Sequence, residues 1–379
     1  MIKLKRIKIN KSLLICVLCF MIISILTIYS AMTYLPSYLG NLALKQLIWY
    51  VLGFFIIFFI IKTSNKKIIN NSSAWYIYIT NVLLLFILLI IGQPINGSKC
   101  WFIIPGIGSF QPSEFMKIGL LIIFSVVCSD WVKTINKKIT FKNEITILAK
   151  IGFLFLIPTS LTFLEHDTGA VFIYFIIMLS ILWVSPIRKR WFIIGIILIG
   201  ILLGGFLSLY FFNQELFVEI FGTDLFYRID RILDWKNGTG MQLENSLTAI
   251  GSSGFLGHGY NHTPIYFPES GTDFIFAVYA SNFGLVGSLL FILIILYFDL
   301  CLIKIIKTTD NLTNKFIVSG ALGMFLYQQF QNIGMTLGVL PITGITLPFI
   351  SYGGSSLLSY LIILGIIFNI YSDNKKTIN

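Results

Sequence analysis

Five clusters of polar and ionisable residues interrupt an otherwise apolar chain of 379 residues. In the first, Asn96-Gly97-Ser98-Lys99-Cys100-Trp101 precedes Phe110-Gln111-Pro112-Ser113-Glu114-Phe115-Met116-Lys117. Pro112 suits a first helical turn, and Ser113 and Glu114 suit a helix start. Glu114 and Lys117 are three residues apart and share one helix face. Opposite charges entering a membrane are costly unless they are paired or wet. The pair therefore serves either a polar cavity or a capped helix start with an internal ion pair. Lys99 and Trp101 read equally as interfacial anchors. The second cluster is Glu165-His166-Asp167-Thr168-Gly169, where Asp167 or Thr168 can cap the helix that follows. A lone histidine beside carboxylates is a poor metal set.

The third cluster holds Arg228 and Arg231 within Tyr227-Arg228-Ile229-Asp230-Arg231-Ile232-Leu233-Asp234-Trp235. At helical spacing the two guanidiniums share a face and can grip a phosphate or pyrophosphate. An interfacial amphipathic helix with internal Arg–Asp pairs accounts for them as well. Gln242, Asn245 and Ser246 follow, then a glycine-rich run from Gly251 to Gly259. No βαβ unit surrounds that run, so tight turns at the membrane surface explain it better than a nucleotide loop. In the fourth cluster, Pro268 to Phe276, Thr272 or Asp273 can cap a helix. Alternatively, Asp273 is a carboxylate at the outer membrane boundary, able to take a proton from a hydroxyl or to hold a divalent cation. The fifth cluster joins Gln331-Asn332 to Leu340 through Ser356, where two prolines and many small residues break an apolar region. Irregular backbone at membrane depth requires protein or a cavity around it; a hairpin turn with a small-residue packing face is the alternative.

The elements that must position these residues are membrane helices. Apolar residues make up 56% of the chain and charged residues 11%, against about 25% charged in a soluble domain. That composition excludes soluble, disordered and coiled-coil classes. The expected fold is an all-α polytopic membrane protein, a single integral unit over residues 1–379. A span needs about 20 apolar residues. Ten segments qualify: 13–33, 46–61, 74–92, 114–130, 147–163, 169–184, 191–212, 273–303, 316–338 and 348–371. The eighth is long enough to tilt or to begin outside the hydrocarbon. With the N-terminus in the cytoplasm, 21 of the 27 Lys and Arg fall on the inner side and 6 on the outer. The positive-inside rule thus places both termini in the cytoplasm. The net charge of +11 is then mostly topological, which argues against a nucleic-acid partner. One large external loop, 213–272, separates spans seven and eight. With Asp273 it carries 8 of the 16 acids, and long loops in tight proteins are usually functional. The five cysteines show no zinc or disulfide spacing.

Taken together, the clusters resemble the SEDS family of cell-wall polymerases, which includes RodA, FtsW and SpoVE. The resemblance runs from the first span to the last. It rests on Asn96 through Trp101 with Phe110 through Lys117, on Ser246 through Gly254, on Thr272-Asp273-Phe274-Ile275-Phe276-Ala277-Val278, and on Pro341 through Ser355. The run from Trp101 to Pro112 is most similar to RodA of Gram-positive bacteria.

The resemblance implies a peptidoglycan glycosyltransferase in the bacterial plasma membrane, joining lipid II units into glycan strands at its outer face for cell elongation. An FtsW- or SpoVE-like role in division or sporulation is the alternative within the family. A lipid II flippase, or a non-catalytic scaffold, is the alternative from another class. By family analogy Asp273 is the general base or helps hold a divalent cation, Mg or Mn; no organic cofactor is implied. Glu114 and Lys117 match polar cavity positions, and Lys99 a basic position able to face pyrophosphate. Arg228, Arg231, Gln242 and Ser246 are further substrate-binding candidates. The implied partners are a class B penicillin-binding protein, lipid II and undecaprenyl-diphosphate-linked glycan. Three departures mark this chain: Gly271 where many relatives have His, Ser281-Asn282 where most have Glu-Glu, and Glu165-His166 before Asp167 where Gln-Pro is usual.

Overall fold

A computed structural model describes residues 8–34, 40–93, 99–104, 108–135, 139–223, 226 and 241–377. Among them, ten long helices match the ten expected spans: α1 (Lys11–Ala31), α2 (Leu42–Lys62), then, after a short α3 (Asn65–Ile68), α4 (Asn71–Ile91), α5 (Pro112–Thr134), α6 (Phe141–Leu164), α7 (Thr168–Val184) and α8 (Arg190–Phe212). Two helices fold within the external loop, α9 (Gln214–Phe221) and α10 (Met241–Ser252). The last three spans are α11 (Ile275–Lys307), α12 (Leu312–Thr336) and α13 (Gly354–Thr377). Eight of the ten are long and apolar enough to cross a membrane; α7 is shorter at 17 residues, and α12 is more polar. The chain is an integral, multi-pass membrane protein.

Side chains written into the sequence set many of the helix starts. Asn10, Asn41, Asn70 and Asn311 each accept a backbone N–H three residues on, at the starts of α1, α2, α4 and α12, satisfying donors a helix otherwise leaves unpaired. Pro112 takes the first turn of α5 as its sequence predicts. Helices α5 and α13 form the centre: α5 is buried continuously from Met116 to Ser129, against α4, α7, α12 and α13. Helix α2 packs along α13, and α1 along α11. Helix α8 stands apart, with only Tyr210 buried along its length.

Four features differ from the sequence expectations. Residues 102–110 contain a small antiparallel hairpin, β1 (Phe102–Ile104) and β2 (Gly108–Phe110), pairing Phe102 with Phe110. The external loop is partly helical. The eighth span starts at Ile275 and is broken at Gly284 (φ 62°, ψ −160°). The tenth starts at Gly354 rather than 348, because Phe349 is left-handed (φ 67°) and residues 348–353 turn instead of winding. The break in α11 has a visible cause. The loop after α10 lies across it: Leu285 N–H donates to the Gly254 carbonyl, Val286 to Phe255, His258 to Ser281 and Gly259 to Asn282. Gly254, Gly257 and Gly259 all have positive φ, so the run does make tight turns. None of the five cysteines is in a disulfide.

Candidate active site

A cavity of about 940 Å³ opens among α2, the β hairpin, α5, α7, the start of α11 and the 340–356 turn. Four of the five sequence clusters meet there: Trp101 and Glu114, His166 and Asp167, Glu269 and Asp273, Gly344 and Tyr352 all line it. Its size is at the upper end of the ~300–1,000 Å³ typical of ligand pockets. Neither Gln242 nor Ser246 from the third cluster lines it. Gln242 sits half-buried on α10, and Ser246 is spent on packing, its hydroxyl donating to the Thr336 carbonyl at 3.1 Å. Arg228 and Arg231 lie outside the described residues, as do Asn96, Gly97 and Ser98.

Asp273 is not a helix cap. The cap position of α11 falls on Phe274 and carries no side-chain bond, while the Thr272 hydroxyl donates to Glu269 at 2.6 Å. The Asp273 carboxyl makes no hydrogen bond to any described residue and faces the cavity, where a Cβ at Gly344 would stand 3.6 Å from its Oδ2. Its backbone, by contrast, is tightly held. Asn332 Nδ2 donates to the carbonyls of Asp273 and Ile345, both at 2.8 Å. Ser351 Oγ donates to the Thr272 carbonyl at 2.6 Å, and Tyr352 N–H to Gly271 at 2.9 Å. A free carboxyl on a rigid backbone is the arrangement a reacting group requires. Burial, and next the like charge of Glu269, push the Asp273 carboxyl up to about 7.

The Glu114–Lys117 pair forms as its spacing predicts, at 2.5 Å, with Lys117 fully buried. Ser359 donates to Glu114 at 3.2 Å, and the Lys117 ammonium lies 5.0 Å from the centre of the Tyr360 ring. Gln328 and Thr346 bond the Tyr360 hydroxyl at 2.6 and 3.1 Å. Glu114 reaches the cavity wall and Lys117 stands behind it. Asp167 caps α7 by accepting from Ala170 N–H, and its other oxygen accepts from Gln111 at 3.0 Å and Ser113 at 2.8 Å. The capping reading of Asp167 thus holds, and the same carboxylate ties α5 to α7 at the cavity floor. His166 is left-handed (φ 69°) and lines the cavity. Glu165 is fully buried with neither carboxyl oxygen bonded, and burial followed by the Asp167 charge raises it to about 8.

Lys99 is half-buried beside the site but does not line it; its N–H donates to the Glu165 carbonyl. The lysine that does line the cavity is Lys45, with Trp49 one turn on along α2. Sequence reasoning missed both because they begin an apolar run. Their i, i+4 spacing, a cation and an indole on one face, was the available signal. The departures at Ser281 and Asn282 are also explained. Both are buried, Ser281 against His258 and Asn282 between Ser30 (2.6 Å) and Thr263 (3.1 Å). They pin the loop and α1 to α11.

For a divalent cation the residues fit modestly. Magnesium is commonly held by one or two carboxylates together with substrate phosphate oxygens, and Asp273 and Glu269 supply two. Among the described residues no group of three or more metal-ligating side chains forms.

The profile of the FtsW/RodA/SpoVE family, described as "Cell cycle protein", matches residues 10–376. "Probable peptidoglycan glycosyltransferase FtsW" of Bacillus subtilis is 31% identical over 297 residues, 76% of this chain and 72% of that one. "Stage V sporulation protein E" of the same organism is 34% identical over 296 residues, 74% and 73% of the two chains. The fold is also that of a chain solved under the description "Structural coordination of polymerization and crosslinking by a peptidoglycan synthase complex" (TM-score 0.79, 23% identity, 97% of this chain and 98% of that one). Rod shape determining protein RodA of Thermus thermophilus shares it too (TM-score 0.69, 24% identity, 97% of each chain). These two likenesses concern fold alone. With its profile matched almost end to end and curated relatives above 30% identity, the chain belongs to the FtsW/RodA/SpoVE family.

Proposed function

We propose that the protein is a peptidoglycan glycosyltransferase that joins lipid II units into glycan strands at the outer face of the plasma membrane. The observation that carries this reading is the unbonded Asp273 carboxyl on a rigid backbone, facing the cavity at the boundary of α11. The relatives named as peptidoglycan glycosyltransferases support it. The RodA-like sequence run supports a role in elongation, and the FtsW and SpoVE names of the curated relatives support the alternative, division or sporulation.

The chemistry follows from the residues. The acceptor is a sugar hydroxyl, a weak acid that needs a base within hydrogen-bond reach. Asp273, raised to about 7, is poised to take that proton near neutral pH. An α-linked donor giving a β-linked product implies inversion in one displacement, so one carboxylate base suffices. The leaving group is an anionic pyrophosphate, which needs little acid assistance but does need positive charge. Among residues lining the cavity, Glu114, Asp167, Glu269 and Asp273 outnumber Lys45 and His166. A divalent cation bound there would stabilise charge on the departing pyrophosphate. Asp273 and Glu269 would hold it in the alternative to the base role of Asp273, and Lys45 would meet the phosphates at the rim. Trp49 and Trp101 offer flat apolar faces to the sugars. The proposed partner is a class B penicillin-binding protein that cross-links the strand.

The test is glycan formation from labelled lipid II by the purified protein, alone and with that partner. Asp273→Ala is expected to lose roughly 10²–10⁴-fold in rate while melting no lower than the wild type, since the carboxyl bonds nothing and its burial opposes ionisation. Unimpaired polymerisation by the variant overturns the assignment. Absence of any glycan from the wild type with its partner favours a flippase or a scaffold.

A further inference from the structure

A second cavity, of about 860 Å³, lies at the other end of the molecule, between the start of α1, the end of α11 and α13. Helix α1 begins at this cavity with Lys11 and ends at Ala31, 21 residues or roughly 30 Å on at 1.5 Å per residue, and α2, whose Lys45 lines the Asp273 cavity, begins on that far side, so the two cavities face opposite membrane surfaces. Lys8, Lys11 and Lys304 line this one, with the Thr308 hydroxyl, and none of its described lining residues is acidic. Two backbone features add to the positive field. The start of α1, capped by Asn10, presents the positive end of its dipole. Lys8 N–H donates to Ser372 Oγ at 3.3 Å, which holds the segment before α1 against α13. One wall is Tyr297 and Leu300, exposed by 49% and 60% on the lipid-facing side of α11. The pocket therefore joins a cationic floor to a side that opens into hydrocarbon.

We propose that this pocket binds an anionic phospholipid of the cytoplasmic leaflet, its phosphate among Lys8, Lys11 and Lys304 and its acyl chains along Tyr297 and Leu300. Basic pockets between helices on the cytoplasmic side have the chemistry for such headgroups. A soluble phosphate would use the same lysines but would leave the apolar wall bare, which is why the lipid is preferred. The site is independent of the polymerase reading, since it touches no residue of the Asp273 cavity.

The experiment is native mass spectrometry of the delipidated full-length protein, titrated with phosphatidylglycerol, with phosphatidylcholine, and with phosphatidylglycerol plus inorganic phosphate. The wild type is expected to retain phosphatidylglycerol over phosphatidylcholine. Lys11→Gln with Lys304→Gln should lower that retention roughly 30-fold. Lys307→Gln, on the last turn of α11 but outside the pocket, should leave it unchanged. Lys11→Arg with Lys304→Arg should preserve it, separating lost charge from a folding defect. Equal retention of both lipids overturns the proposal, as does an equal loss in Lys307→Gln. Full displacement of the lipid by millimolar inorganic phosphate assigns the pocket to a soluble anion and overturns the lipid reading.

Discussion

Asp273 differs from the other acids of the cavity in having nothing to hold it. Glu114 is paired with Lys117, Asp167 accepts three hydrogen bonds, and Glu269 accepts from Thr272. A base must be deprotonated to act, so the rate of polymerisation is expected to rise with pH and reach half its maximum near 7. Glu269 is the like charge that lifts Asp273, after burial. Glu269→Gln should therefore move that limb to lower pH; a pH–rate profile of the variant checks it, and an unmoved limb assigns the titration to another group. Glu165 gives a different signal, in stability. Its carboxyl is raised from 4.5 to about 8 by burial and by Asp167. The folded state thus holds this proton more tightly than the unfolded chain, and stability falls as pH rises from about 4.5 to about 8. Glu165→Gln removes that penalty. The variant should melt with the wild type at pH 5 and several degrees above it at pH 9; equal melting at both values rejects a buried titrating Glu165.

The element that sets the site is α11, and its break at Gly284 follows from close backbone approach. A Cβ at Gly284 would stand 2.3 Å from Gly257 N, and one at Gly257 would stand 2.3 Å from the Asn282 carbonyl oxygen. Two glycines are needed because two backbones touch there, each at positive φ. Gly284→Ala should destabilise the protein by more than about 2 kcal/mol, since it adds a strained φ and a backbone clash. The melting temperature reads this, and polymerisation should fall with it because the loop fixes the start of α11 that carries Asp273. Gly287→Ala is a poor control, as its Cβ would strike Phe283. Gly152→Ala, inside α6, where a Cβ meets nothing within 4 Å, serves instead and should hold or slightly raise the melting temperature.

On the scale of the whole molecule, sidedness decides whether the chemistry faces the lipid-linked substrate. In a chain whose five cysteines are replaced by alanine, a membrane-impermeant maleimide added to intact cells should label Glu269→Cys and spare Lys189→Cys. The reverse pattern would invert the topology and place Asp273 in the cytoplasm. The ten spans were legible in the sequence, because apolar length answers directly to the bilayer; their sides are the expectation that lysine distribution gives. So were the Glu114–Lys117 pair and the capping role of Asp167, which need only helical spacing. The break in α11, the β hairpin and the start of α13 were not, since they depend on contacts between segments far apart in the chain. Asp273 was legible as a residue with two possible roles. The structure removed the capping role by putting Phe274 at the cap and leaving the Asp273 carboxyl unbonded. Lys45 and Trp49 passed as the start of a span until the fold turned them toward the same cavity as Glu269, and Ser246 turned out to be spent on α12. Composition and periodicity thus determined a membrane protein of ten helices, because hydrophobic transfer acts on each segment separately. Which polar side chains converge, and which one remains free to react, was decided by tertiary packing alone, because that depends on distances no single segment contains.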